Sequence, residues 1–94
     1  MLDFRWDPKK SEANKRKHKI SFKEAQTCFY DPMHILVDDP DHSEKEERMI
    51  LLGMSSSANL LVVVHAEIIE NEIRIISARK ANRREAKQYR EVNL

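Results

Sequence analysis

The chain has 94 residues, 40% of them hydrophobic, enough for one domain with a modest core and no second. Its single glycine, Gly53, excludes the glycine-rich loops of dinucleotide- and nucleotide-binding folds, and its single cysteine, Cys28, excludes an internal disulfide. Net charge is +1, but the charges are segregated. Residues 1–23 hold eight Lys or Arg against three acids, residues 24–47 one against eight, and residues 73–94 seven against two. Two basic ends that meet in the fold would make one patch able to hold phosphates.

No run approaches the length of a membrane span, and Asp3 and Arg5 so near the start leave no room for a secretory signal, so a reducing cytoplasm is expected. Histidines at 18, 34, 42 and 65 have no structural-zinc spacing. Asp38, Asp39, Asp41, His42 and Glu44 are able to catch a cation, but without a glycine for an EF-hand turn they read as a solvated acidic loop. No metal and no cofactor is expected.

In chain order, Asp3-Phe4-Arg5-Trp6 alternates polar and apolar and predicts a short edge strand that buries Phe4 and Trp6. Asp7 as N-cap and Pro8 at the first helical position open a helix whose apolar surface amounts to little beyond Ala13, and which ends at Lys17-His18-Lys19. Ser21-Phe22-Lys23-Glu24 has the form of a capping box. It opens a second helix with Phe22, Ala25, Cys28 and Phe29 on one stripe, closed by Asp31-Pro32. Four strands follow: residues 33–37, residues 48–54, residues 59–69 after a Ser-rich turn, and residues 73–78 after a turn at Glu70-Asn71 with Asn71 left-handed. The β-branched run Ile73-Arg74-Ile75-Ile76 predicts a central strand covered on both faces.

The stretch of greatest interest is residues 72–93, where that strand runs into the most concentrated positive charge in the chain. Asn82 and Glu85 suit a capping box opening a helix over residues 83–92, whose apolar stripe is thin: Ala86, Tyr89 and Val92 or Asn93. Arg79, Lys80, Arg83, Arg84, Lys87 and Arg90 therefore surround a strand-to-helix step, beside N–H groups that favour anions. The alternative is a solvated helix with ordinary surface ion pairs.

Taken together, Phe4-x-Trp6-Asp7-Pro8, Asn14 with Lys17-His18, Ser21-Phe22-x-Glu24-Ala25, Phe29-x-Asp31-Pro32, His42-Ser43, Glu47-Arg48, Gly53-x-Ser55 and residues 73–81 with Glu85 and Tyr89 resemble BrnT-type toxins of type II toxin–antitoxin systems. The resemblance implies an α+β, RelE-like fold of order β-α-α-β-β-β-β-α, its antiparallel sheet covered by two N-terminal helices and a C-terminal basic helix. It implies a metal-free ribonuclease that blocks translation. It also implies neutralisation by a BrnA-type ribbon-helix-helix antitoxin, with operator DNA bound only through that complex.

Metal-free RNA cleavage uses the 2′-hydroxyl as nucleophile and needs proton-transfer groups and fixed cations on the phosphorane. The candidates are Arg79 and Arg83 for charge, His65 as acid or base, and Lys80, Arg84, Lys17, His18 and Tyr89 as RNA contacts. Each of the non-cations has a structural alternative: His65 as a hydrogen-bonded sheet residue, His18 as a helix C-terminal residue, Tyr89 as a core residue. Where family members read His-Thr-x-Arg, this chain has His65-Ala66-Glu67-Ile68; Ala58 and Lys19 stand where glycine is usual. These departures leave open a second reading, a catalytically weakened homologue that acts as an antitoxin-binding module. A third is a plain nucleic-acid-binding domain.

Overall fold

A computed structural model describes residues 1–39 and 47–94, so the cation-loop residues Asp41, His42 and Glu44 and the His42-Ser43 part of the family pattern lie outside the described residues. The elements are β1 (Asp3–Arg5), α1 (Pro8–His18), α2 (Phe22–Thr27) with a 3-10 turn (Cys28–Tyr30), β2 (Ile35–Asp38), β3 (Met49–Met54), β4 (Leu60–Ile69), β5 (Glu72–Lys80) and α3 (Arg83–Val92). They build a mixed α+β domain on one sheet of order β1-β5-β4-β3-β2. Strands β2 to β5 form the antiparallel meander expected. The edge strand β1 is the exception to an all-antiparallel sheet, because it reaches β5 from the other end of the chain rather than through a hairpin and pairs with it in parallel. An ion pair from Arg5 to Glu72 reinforces that edge.

One sheet face carries α1 and α2. Ile20, Phe22, Ala25 and Cys28 pack there against Leu51, Leu61, Val63, Ile75 and Ala78, with Phe4, Trp6 and Phe29 on the margin. Gly53 lets the 3-10 turn approach the sheet closely: a Cβ built on it would lie 2.9 Å from Leu51 Cδ2 and 3.0 Å from the Cys28 carbonyl oxygen. Burial pushes the Cys28 thiol up to about 12, which leaves it a packing residue.

The predicted cap of α1 is present, Asp7 accepting from the Lys9 N–H at 2.9 Å. Its docking residue differs from the expectation, for Ala13 is exposed and Asn14 is buried. Because β1 pairs no further than Arg74, the outer edge of β5 is open beyond it. Asn14 fills part of that edge, donating to the Ala78 carbonyl at 2.8 Å and accepting from the Ala78 N–H at 3.1 Å, while also donating to the Ile20 carbonyl at 3.0 Å. A buried amide used in this way satisfies both backbone groups as a neighbouring strand would.

At α2, Ser21 caps the Glu24 N–H. The Glu24 carboxylate goes elsewhere than the reciprocal bond of a capping box, accepting from the Ser55 hydroxyl at 2.7 Å and the Asn59 amide at 2.8 Å, and so holds the β3–β4 turn onto the helix layer.

The expectation that residues 73–78 form the central strand is corrected as well. The centre is β4, buried on both faces over Leu61, Val62 and Val63. In β5 one face is buried and Arg74, Ile76 and Ser77 are half-buried, since no helix spans the whole opposite face. The register shifts within the β4–β5 pairing, Val64 opposing Ser77 and His65 opposing Ile75, so Ile76 is an extra residue in β5. This bulge reverses the alternation. Ile73 and Ile75 face the α1–α2 layer, and so does Ala78, which places the next residue, Arg79, on the other face.

That other face carries α3. Tyr89 donates to the Asp31 carboxylate at 2.6 Å and Asn93 to the Met33 carbonyl at 3.1 Å, fastening the helix to the chain between α2 and β2. Val92, a candidate for the thin apolar stripe, is 63% exposed, and Asn93 takes the inward position.

Candidate functional site

The strand-to-helix step is built locally. Arg79 and Lys80 end β5, Ala81 bonds back to the Leu60 carbonyl at 2.9 Å, and Asn82 caps α3. The predicted capping box is complete: the Asn82 side chain accepts from the Glu85 N–H and the Glu85 carboxylate from the Asn82 N–H, both at 2.8 Å. The same carboxylate receives Arg79 end-on, Nη1 at 2.8 Å and Nη2 at 2.9 Å. The hydrogen bond from Arg79 holds the Glu85 carboxyl below its ordinary value, and the same bond raises Arg79.

Around this pair stand Lys80, Arg83 and Arg84, all exposed, and Arg83 and Arg84 have no ion-pair partner among the described residues. Four cations against one carboxylate leave the step positive. The neighbouring face adds the last turn of α1. Lys17 and His18 follow the Asn14 clamp by three and four residues, about one 5.4 Å helical turn, and the clamp holds Ala78, the residue before Arg79. Both belong to the basic last turn of α1, in the helix layer on the α1–α2 face of the sheet.

His65 is not brought to Arg79. It lies on the α1–α2 face, 3% exposed, with its ring 4.7 Å edge-on from Phe29 and Nδ1 3.2 Å from the Val63 carbonyl. Burial pushes its pKa down, so it is neutral at pH 7. Arg79 opposes Val62, three residues earlier in β4, on the opposite face. An unbroken period of two would have put residues 75, 77 and 79 on the His65 face; the bulge at Ile76 separates them. Tyr89 is half-buried, its hydroxyl given to Asp31. Burial first, and then that bond, push it up to about 12, so its phenol serves as a tether for α3.

Ala66 shares the Arg79 face but sits toward the far end of β4, opposite Arg74, and Ile68 lies farther along still, at a second register shift between Glu67 and Ile69. Neither departure removes a group from the strand-to-helix step.

Two residues at this end were not singled out for these roles by the sequence. Glu85 was read as a cap; its second role is signalled by an arginine ending a strand six residues before the third helical position. Asp31 was read as a helix stop, yet it accepts from Tyr89, from Met54 N–H at 2.8 Å and from Met33 N–H at 2.9 Å. Burial alone would raise its carboxyl, but these bonds hold it below its ordinary value. Among the described residues no three His, Cys, Asp or Glu side chains gather as metal ligands.

No curated protein matches the chain. The crystal structure of the Brucella abortus ribonuclease toxin BrnT, at 1.1 Å resolution, superposes with a TM-score of 0.65 over 88% of this chain and 100% of that one, at 18% identity, a likeness of fold. A family model described as "Ribonuclease toxin, BrnT, of type II toxin-antitoxin system" matches residues 6–85, a span running from the end of the edge strand through Arg79 to Glu85. With that match covering most of the chain, and the fold in agreement, the chain belongs to the BrnT family of type II toxin–antitoxin ribonuclease toxins.

Proposed function

We propose that the protein is a cytoplasmic endoribonuclease toxin that cleaves RNA without metal, inhibits translation, and is neutralised by a BrnA-type ribbon-helix-helix antitoxin, meeting operator DNA only within that complex. The observation that supports this reading is the set of cations at the β5–α3 step, where Arg79 is held rigidly and Lys80, Arg83 and Arg84 are exposed. Attack by the 2′-oxygen gathers negative charge on the phosphorane, and cations fixed beforehand stabilise it without reorganising. In this reading Arg79 and Arg83 face the reacting phosphate, Lys80 and Arg84 hold its neighbours, and Lys17 and His18 extend the track. His65 has no part in it, being buried on the other face.

The test is incubation of purified protein with total RNA in EDTA. The wild type is expected to degrade it, and an Arg79→Ala, Arg83→Ala double variant, folded by circular dichroism, to lose at least about 100-fold in rate.

The second reading, an antitoxin-binding homologue with weakened catalysis, draws on one observation: the candidate for proton transfer, His65, lies on the face opposite Arg79. Intact RNA at enzyme excess, together with tight capture of the antitoxin by the same preparation, would favour it.

A further inference from the structure

We infer that Glu85 is a positioning residue, which holds Arg79 so that its Nε–H and one Nη2–H form a two-pronged donor for an RNA phosphate. The inference rests on the proposed RNA-cleaving function and concerns the same site.

A guanidinium has five N–H donors in a fixed plane. Among the described residues three are taken: one Nη1–H by Glu85 Oε1 at 2.8 Å, one Nη2–H by Glu85 Oε2 at 2.9 Å, and the other Nη1–H by the Lys80 carbonyl at 3.3 Å. The two that remain, Nε–H and the second Nη2–H, lie side by side on one edge. They form the fork that matches two phosphate oxygens, on a side chain that is 42% exposed.

Glu85 is itself held, since its Oε1 accepts from the Asn82 N–H and its own N–H donates to the Asn82 side chain. The orientation of Arg79 is therefore set by the first turn of α3. A bulge aims the strand end, a helix cap fixes the carboxylate, and the carboxylate fixes the guanidinium. A carboxylate in the middle of a cation cluster is otherwise unfavourable for binding an anion, and this makes the role testable by the sign of the effect.

The probe is a labelled single-stranded oligodeoxynucleotide, which carries phosphates but no 2′-hydroxyl and cannot be cut by this route. Its dissociation constant is measured for the wild type, Glu85→Gln, Arg79→Lys, Arg79→Ala and Asn82→Ala, each checked by thermal melting. Gln is as suitable as Glu at the third position of a capping box, so Glu85→Gln keeps the helix start. If Glu85 positions the fork, Glu85→Gln weakens binding about tenfold although it removes a negative charge. Arg79→Lys then loses as much as Arg79→Ala, because an ammonium has no fork, and Asn82→Ala, which removes the acceptor of the Glu85 N–H but keeps the backbone N–H that holds Oε1, loses less than Glu85→Gln.

Binding by Glu85→Gln that is as tight as wild type or tighter, with Arg79→Ala weakened, overturns the positioning role and leaves the RNA site standing. Equal binding by wild type and Arg79→Ala overturns both. Arg79→Lys carries the comparison without touching the helix cap, should Glu85→Gln fail to fold. In RNA cleavage, loss from Glu85→Gln is expected in kcat as well as KM, whereas a purely structural cap would lower the amount of active protein without moving KM.

Discussion

Lys19, Ala58 and Asn71 are described with φ of 62°, 63° and 65°, the left-handed region where a Cβ crowds the backbone. Asn71 suits this conformation, as its place in the β4–β5 turn foretold; lysine and alanine do not, and these are the two positions where the family resemblance led one to look for glycine. Lys19→Gly and Ala58→Gly are each expected to stabilise the fold by about 0.5–1 kcal/mol, read as a higher urea midpoint at unchanged slope. At this scale the cations and caps were legible, because charge and N-cap chemistry are properties of single residues. Asn14 was not: its value comes from an open strand edge formed by Ala78, sixty-four positions away. The pairing of His65 with Arg79 failed for a similar reason. A bulge at Ile76 leaves no mark on apolar alternation, and it decides which face Arg79 takes.

Helices α1 and α2 reach the sheet in different ways, and the sequence revealed one of them. The stripe of Phe22, Ala25 and Cys28 read correctly as a packing face, since apolar periodicity is what such a face consists of. The docking of α1 rests on one polar side chain, for which no periodicity exists. The contact between the 3-10 turn and β3 depends on Gly53, where an added methyl would press on Leu51 and the Cys28 backbone. Gly53→Ala is expected to cost about 1–3 kcal/mol, visible as a lower melting temperature. Its effect on the proposed RNA site is expected to come through stability alone, because Gly53 in β3 meets the α1–α2 layer and Arg79 lies on the opposite face. Helix α3 shows the converse of α2: none of its residues is fully buried, and it is kept in place by Glu85, Tyr89 and Asn93 through polar bonds.

For the molecule as a whole, the meander and its flanking elements followed from the order of apolar runs, and the parallel edge did not, because pairing between distant segments leaves no local trace. Of the segregated charge, the C-terminal part surrounds the β5–α3 step as Arg79, Lys80, Arg83 and Arg84. Buried titratable groups also set a pH window for stability. His65 has a lowered pKa in the fold, so its contribution is present above its ordinary 6.5 and is lost as pH falls through the folded value; Glu85 adds a further loss below 4.5. Cys28 and Tyr89 are raised to about 12 from 9.0 and 10.0, so their contributions are full below those ordinary values and are lost as pH rises toward 12. Urea unfolding is expected to show a plateau between about pH 6.5 and 9 with falls on both sides, and Cys28→Ala to move the onset of the alkaline fall toward 10.

The parallel seat of β1 on β5, together with the bond between Asn14 and Ala78, also bears on how the chain is born. A ribosome delivers the first strand and helix early, and they have nothing to settle on until the last strand follows. A nascent chain shorter than residue 78 therefore holds neither its α1 anchor nor the arginine-bearing step. Under the proposed function, the RNA-contacting surface is complete only after almost all of the polypeptide has emerged, so restraint by an antitoxin is called for only by the nearly finished molecule.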